Sequence, residues 1–295
     1  MKDIRVLLYY KYVEIDSPGK FKAKHLKDCL ELGLKGRILI AKEGINGSVS
    51  GTFEQTEKYR KLLTSDERFN DIEFKEDKAL MVPFKKMVVK VRPEIIKFQQ
   101  DVDLNGKGKH ISSEEFLNLY NSGEDIVILD ARNEYEWQVG KFKDAVTLPI
   151  ENFTEFPEAV DDFEDLEELK DKKVVMYCTG GIRCEKASAY LVKQGFKDVS
   201  QLHGGILTFG KKFPDTVWEG TCFVFDKRLK SDINMKSGPI TKCKHCDIAC
   251  DQYRNCRVHE CNNLFVICPD CDMKMQGCCT NECLKDYKNE INILR

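Results

Sequence analysis

The sequence predicts a chain of three parts, mixed α/β and α+β, on three observations. Two stretches of alternating strand and helix signals are separated by a polar linker at about residues 96–110. The two stretches differ in charge: residues 1–100 carry a net +6 and residues 101–226 a net −11. From about residue 240 cysteines arrive every few residues, which marks a third, small unit. The expected domains span 1–98, 110–225 and 238–288.

In the first stretch, Ile4–Val13 is apolar and aromatic and suits a strand. Phe21, Leu26, Leu30 and Leu34 give Lys20–Gly33 a helical pattern, with Gly33 as its stop. Arg37–Ala41 is a short buried strand, Lys42–Gly47 a Gly- and Asn-rich turn, and Ser48–Gly51 a further strand. A helix from Thr52 or Glu54 to about Leu63 precedes strands at Asp71–Lys75 and Met87–Val91. The order β-α-β-β-α-β is that of a ferredoxin-like (acylphosphatase-like) domain.

In the second stretch, Ser112 or Ser113 caps a helix running to Tyr120. Ile126–Leu129, Ala145–Leu148, Val174–Tyr177 and Val199–Leu202 read as strands. Asn133–Val139, an acidic Asp161–Lys170 segment and Cys184–Gly195 read as helices, and Gly204-Gly205 opens another. Continuous apolar strands alternating with helices predict a doubly wound parallel sheet, covered on both faces.

Composition excludes some classes. With 42% hydrophobic and 33% charged residues the chain has an ordinary globular composition. No run approaches the ~20 apolar residues that span a bilayer, so no membrane partner is expected. The start lacks an apolar stretch followed by a cleavage site, so a cytoplasmic, reducing location is expected. There the 14 cysteines point to catalysis and metal binding before disulfides. Residues 227–295 carry a net +3, so two basic ends flank an acidic centre. That pattern suits a polyanion such as RNA, although solvated surface charge is the plainer reading.

The sharpest motif is Val-Val-Met-Tyr-Cys178-Thr179-Gly180-Gly181-Ile182-Arg183-Cys184-Glu-Lys-Ala. An apolar strand ends, a glycine loop follows, and a helix begins. Ligands of open α/β sheets sit beyond the carboxyl ends of strands, where Cys178 falls. Gly180 and Gly181 let the backbone curl so that successive N–H groups point inward, and the helix N-terminus adds positive potential. Such settings lower a cysteine pKa from ~8.5 to roughly 3.5–7.5. Arg183 adds a permanent positive charge. The spacing C-x4-R is one residue shorter than the C-x5-R of tyrosine phosphatases, which leaves room for a sulfur rather than a phosphate. Cys184 either resolves a persulfide on Cys178 or packs in the first helical turn. Asp130 and Arg132 end another strand at the same rim, with Asp130 expected to tie down a loop rather than move protons.

In the tail, Cys243-x2-Cys246 and Cys268-x2-Cys271 are paired knuckles separated by 21 residues. Four thiolates in this arrangement suit zinc. A second set draws on Cys256, Cys261, Cys278 or Cys279, and Cys283. About 50 residues with few large apolar groups need such a staple, so structural zinc is preferred over disulfides or free thiols. No nucleotide cofactor is expected, because Gly180-Gly181 is too short for a dinucleotide fingerprint.

These residues together resemble the rhodanese-domain tRNA uridine hydroxylase family. Leu-Asp130-Ala-Arg-Asn-Glu-Tyr-Glu136, the Cys178–Ala187 loop and Gln201-Leu-His-Gly-Gly205-Ile are similar to its rhodanese segments. Ala41-Lys-Glu-Gly-Ile-Asn-Gly47 and Phe84-Lys-Lys-Met-Val-Val-Lys-Val-Arg92 resemble its amino-terminal domain, and the cysteine-rich tail its extension. The resemblance implies hydroxylation of the tRNA wobble uridine to 5-hydroxyuridine, with molecular oxygen as co-substrate and Cys178 as a persulfide-bearing catalytic cysteine. The electron donor is not readable. Lys42, Lys85 and Lys86 become candidates for tRNA phosphates, with ordinary exposed lysines as the competing reading, and Lys242, Lys244, Arg254 and Arg257 a basic face of the tail. Two other functions share these features: a thiosulfate or persulfide sulfurtransferase, which needs no RNA, and a non-catalytic tRNA-binding protein.

Overall fold

The computed structural model describes residues 3–163, 166–231, 233 and 236–293. The amino-terminal unit comprises β1 (Ile4–Tyr12), α1 (Pro18–Glu31), β2 (Lys35–Ala41), β3 (Gly44–Thr52), α2 (Phe53–Thr64), β4 (Lys75–Ala79) and β5 (Met87–Val91). Its sheet runs β4-β1-β3-β2-β5, the ferredoxin-like order with one extra parallel edge strand. Alternation along β1 divides its side chains. Leu7 and Tyr9 enter the core with α1 and α2, while Val6, Leu8, Tyr10 and Tyr12 face the other way. Thr52 and Gln55 form a reciprocal capping box at the start of α2.

Two local expectations change here. The turn expected over 42–47 shrinks to Lys42-Glu43, because Ala41 already pairs with Gly44. The strand expected at 71–75 lies at 75–79 instead. Its sequence, KEDKA, has no apolar alternation; it is a charged edge strand held by backbone bonds to β1.

The second unit contains β6 (Lys109–Ile111), α3 (Ser113–Asn121), β7 (Ile126–Asp130), α4 (Glu134–Trp137), β8 (Gly140–Phe142), β9 (Val146–Thr147), α5 (Phe156–Asp161), α6 (Leu166–Asp171), β10 (Lys173–Tyr177), α7 (Ile182–Lys193), β11 (Asp198–Leu202) and α8 (Gly205–Lys212). Its parallel sheet runs β6-β11-β10-β7-β9. Both faces are covered: Val174, Met176 and Cys178 enter one core, Val175 and Tyr177 the other. Ser112 is the cap of α3, sharing a capping box with Glu115.

The polar linker hides β6, a three-residue edge strand. The helix expected over 133–139 lasts one turn, because Arg132 takes the carbonyls of Glu136 (3.3 Å) and Gly140 (2.6 Å). Of the expected acidic helix 161–170, residues 164 and 165 lie outside the described residues; α5 and α6 flank them.

The remainder holds β12 (Trp218–Gly220), β13 (Cys222–Phe223), β14 (Lys230–Ser231), β15 (Tyr253–Asn255), β16 (Leu264–Val266), α9 (Pro269–Lys274) and α10 (Asn281–Ile293). Strand β12 pairs with β8 of the parallel-sheet unit. The cysteines themselves make up much of the tail's core, with Tyr253, Val258, Phe265 and Ile267. Among the described residues no helix is long and apolar enough to cross a membrane.

Candidate active site and cysteine clusters

Cys178 lies directly after β10 and is fully buried. The Gly181 amide donates to its Sγ at 3.1 Å. Gly181, at φ +99°, gives the loop the left-handed turn that starts α7 and aims the helix N-terminus at the sulfur. A second constraint comes from Gly205, at φ +64°: a Cβ there would lie 2.4 Å from the Cys178 carbonyl oxygen. The Ile206 and Leu207 amides then bond the carbonyls of Cys178 and Thr179. Burial opposes ionisation of Cys178. The Cys184 thiol, the Arg183 charge and the Arg183 and Gly181 amides outweigh it and bring the pKa down to about 5. Cys184 goes the other way: burial and the neighbouring sulfur hold it far above its ordinary range, so it stays a thiol and donates. It is a hydrogen-bond partner of the Cys178 sulfur as well as a packing residue.

The Arg183 side chain does not bond the sulfur. Its guanidinium grips Glu136 through two bonds, of 2.5 and 2.8 Å, and Thr179 Oγ1 bonds the same carboxylate at 3.0 Å. Glu136 is fully buried, and its pairing with Arg183 outweighs burial to keep it ionised. Arg183 therefore acts on Cys178 through space, from a fixed mount. One layer below, Asp130 and Arg132 form a second fully buried pair through bonds of 2.6 to 3.1 Å. Arg132 also lies near the rings of Tyr177 and Trp218. Asp130 thus anchors the loop after β7. Glu136, which holds Arg183 in place, is the candidate that sequence reasoning passed over.

Two other units close on this loop. From β1, Leu8 sits against Gly180, Tyr10 against Gly181, and the Tyr10 hydroxyl donates to Glu185 at 3.0 Å. Lys186 of α7 binds Glu43 (2.9 Å) and Glu94 (2.8 Å). From the tail side, the Phe225 ring lies 5.8 Å from the Arg183 guanidinium, and Tyr253 donates to the Tyr135 carbonyl beside Glu136. No local signal announces these contacts. The three candidate lysines are exposed but divided. Lys42 sits on the β2–β3 hairpin beside Glu43, near α7, whereas Lys85 and Lys86 precede β5 at the far end of β2, about 20 Å away.

The tail brings together two sets of sulfurs, Cys243, Cys246, Cys268 and Cys271, and Cys256, Cys261, Cys279 and Cys283, each within 4.8 Å of one another. Cys278 stays outside the second set. Separations of 3.6 Å (Cys246–Cys268), 3.5 Å (Cys261–Cys279) and 3.7 Å (Cys279–Cys283) are far longer than the about 2.05 Å of a disulfide. They match the about 3.8 Å edge of a tetrahedron with metal–sulfur bonds of about 2.3 Å. Each set fits one metal ion.

A cysteine after a parallel strand, its sulfur met by loop amides and a helix N-terminus, is the arrangement of rhodanese-type domains. Here it lies between an acylphosphatase-like sheet and a cysteine-rich extension. The chain matches the family described as "UPF0176 acylphosphatase like domain" over residues 4–95, "Rhodanese-like domain" over 112–212 and "Rhodanase C-terminal" over 219–284. It is 45% identical over 294 residues to proteins of Bacillus cereus and Bacillus anthracis named tRNA uridine(34) hydroxylase, covering 98% of this chain and 91% of theirs. Among solved structures it is similar to a rhodanese-like domain from Anabaena sp. (24% identity, TM-score 0.31, 38% of this chain and 78% of that one). The chain belongs to the tRNA uridine(34) hydroxylase family.

Proposed function

We propose that this chain hydroxylates the wobble uridine of tRNA at C5, with Cys178 as the reactive sulfur, carried as a persulfide, and molecular oxygen as co-substrate. The observation that carries the reading is the buried, ionised Cys178 in a chain matched over 98% of its length to relatives named for this activity. Placing one oxygen atom on C5 and reducing the other to water consumes two electrons and two protons, so a reductant from outside the chain is required. The residues supply the electrostatics. Gly181, Arg183 and Cys184 hold the sulfur anionic, and Glu136 with Thr179 holds Arg183 in place. The fourteen free cysteines suit the reduced cytoplasm. The test is mass spectrometry of nucleosides from U34-containing tRNA incubated with the protein, a reductant and air. 5-Hydroxyuridine is expected; persulfide transfer to a small thiol with no nucleoside product would favour a sulfurtransferase and sink the reading.

Zinc is the proposed occupant of both cysteine sets, where it supplies structure by joining four thiolates. Elemental analysis should find about two zinc ions per chain. A strong chelator should lower the melting temperature and, through the Tyr253–Tyr135 contact, the activity. A melting curve indifferent to the chelator would argue against zinc.

A further inference from the structure

Between β1 and the start of α7, next to the Cys178 loop, opens a cleft of about 460 Å³, the size of a small-ligand site. Its walls come from Tyr10, Tyr12 and Lys75 on one side and His110, Glu185 and His203 on the other. Most of its charged groups answer one another. Lys107 (2.6 Å) and His110 (3.1 Å) both bind Glu185, His203 binds Glu73 (3.2 Å), and Lys11 binds Asp71. Lys75 is different. Among the described residues its ammonium has no carboxylate and no hydrogen-bond acceptor, only the face of the Tyr10 ring at 5.2 Å. It is half-buried and lines the cleft without a protein oxygen to take its N–H donors.

The position of Lys75 is informative. Opposite Leu8 in the β1–β4 pairing, it shares the sheet face that presses on the loop. It also lines a second cavity, of about 60 Å³, whose wall includes Thr179. Burial lowers its pKa against the pull of Glu73 and Cys178, as befits a cation without a bonded partner.

We infer that Lys75 is the residue that selects uracil, donating a hydrogen bond from its ammonium to the O4 carbonyl of the target base held in this cleft. This rests on the reading of uridine as substrate. Three features favour a base over a phosphate. The lining is balanced, with Asp71, Glu73 and Glu185 against Lys11, Lys75 and Lys107, so it offers no excess positive charge. Aromatic rings stand on both walls and suit stacking on a splayed-out base. The cleft also borders the loop of Cys178 through Tyr10 and Glu185, and the carbon to be hydroxylated, C5, adjoins the carbonyl that bears O4. Cytosine carries an amino donor in place of O4 and would face the ammonium donor to donor.

The experiment compares affinities of the full chain for synthetic anticodon stem-loop RNAs that differ only in U or C at the wobble position. The wild type should prefer U on the order of tenfold. Lys75→Met should lose that preference while keeping the affinity for the C form and the melting temperature, since no protein partner is stranded. Lys75→Arg should recover part of the preference. An equal preference in Lys75→Met, or none in the wild type, would overturn the inference. Assaying 5-hydroxyuridine on the same samples separates the two ideas. A U preference that depends on Lys75 but without product leaves the inference standing and removes the hydroxylase reading; product with a preference indifferent to Lys75 does the reverse.

Discussion

Cys178→Ser should lower 5-hydroxyuridine formation by on the order of 10³-fold or more, with tRNA affinity little changed. A serine hydroxyl is far too weak an acid for two amides, one thiol and a guanidinium to ionise, and it cannot carry a second sulfur. Because Cys178 is fully buried, its replacement leaves the outer surface that meets RNA as it was. Nucleoside mass spectrometry and a tRNA binding curve on the same preparation check both halves. Product at the wild-type rate would remove Cys178 from the chemistry. The same site sets a pH dependence. Folding holds Cys178 near about 5, below the ~8.5 of a free cysteine, so its thiolate adds stability that is complete above about pH 9. That contribution is lost as the pH falls towards 5, and a Cys178→Ser protein should lack this part of the stability profile.

Glu136→Gln should destabilise the protein by about 3–5 kcal/mol, because it strands a buried guanidinium without its carboxylate. The double variant Glu136→Gln with Arg183→Met should regain much of that loss, since neither charge is then left alone. Denaturant unfolding of the four proteins reads the coupling directly. The double variant should still fail to work normally: without the Arg183 cation, Cys178 is less acidic and less of it is thiolate at neutral pH. If Glu136→Gln melted like the wild type, the buried pair would not be the mount described here.

The residues differ in how plainly they announce these roles. Val174–Tyr177 is a strand by its continuous apolar run, and the serine pair at 112 and 113 announces a helix start, which the capping box with Glu115 places at Ser112. The cysteine knuckles are legible because metal ligation imposes a local spacing. Glu136 is not legible: it occupies the N3 position of a short helix, where carboxylates are ordinary, and its partner Arg183 lies 47 residues away. Strand β4 is silent because its charges suit an edge and its pairing is decided by β1. Lys75 has significance only once β1 is laid against the loop of another domain, a long-range contact that no window of sequence contains. Tyr10 and Tyr12 could be assigned to one strand face, but what that face covers depends on the docking of two units.

Thiolate absorbance near 240 nm as a function of pH, taken as wild type minus Cys178→Ser, reads the ionisation of this one buried sulfur without requiring a reagent to reach it. A midpoint near about 5 is the predicted result. A midpoint near the ~8.5 of a free cysteine would contradict the account.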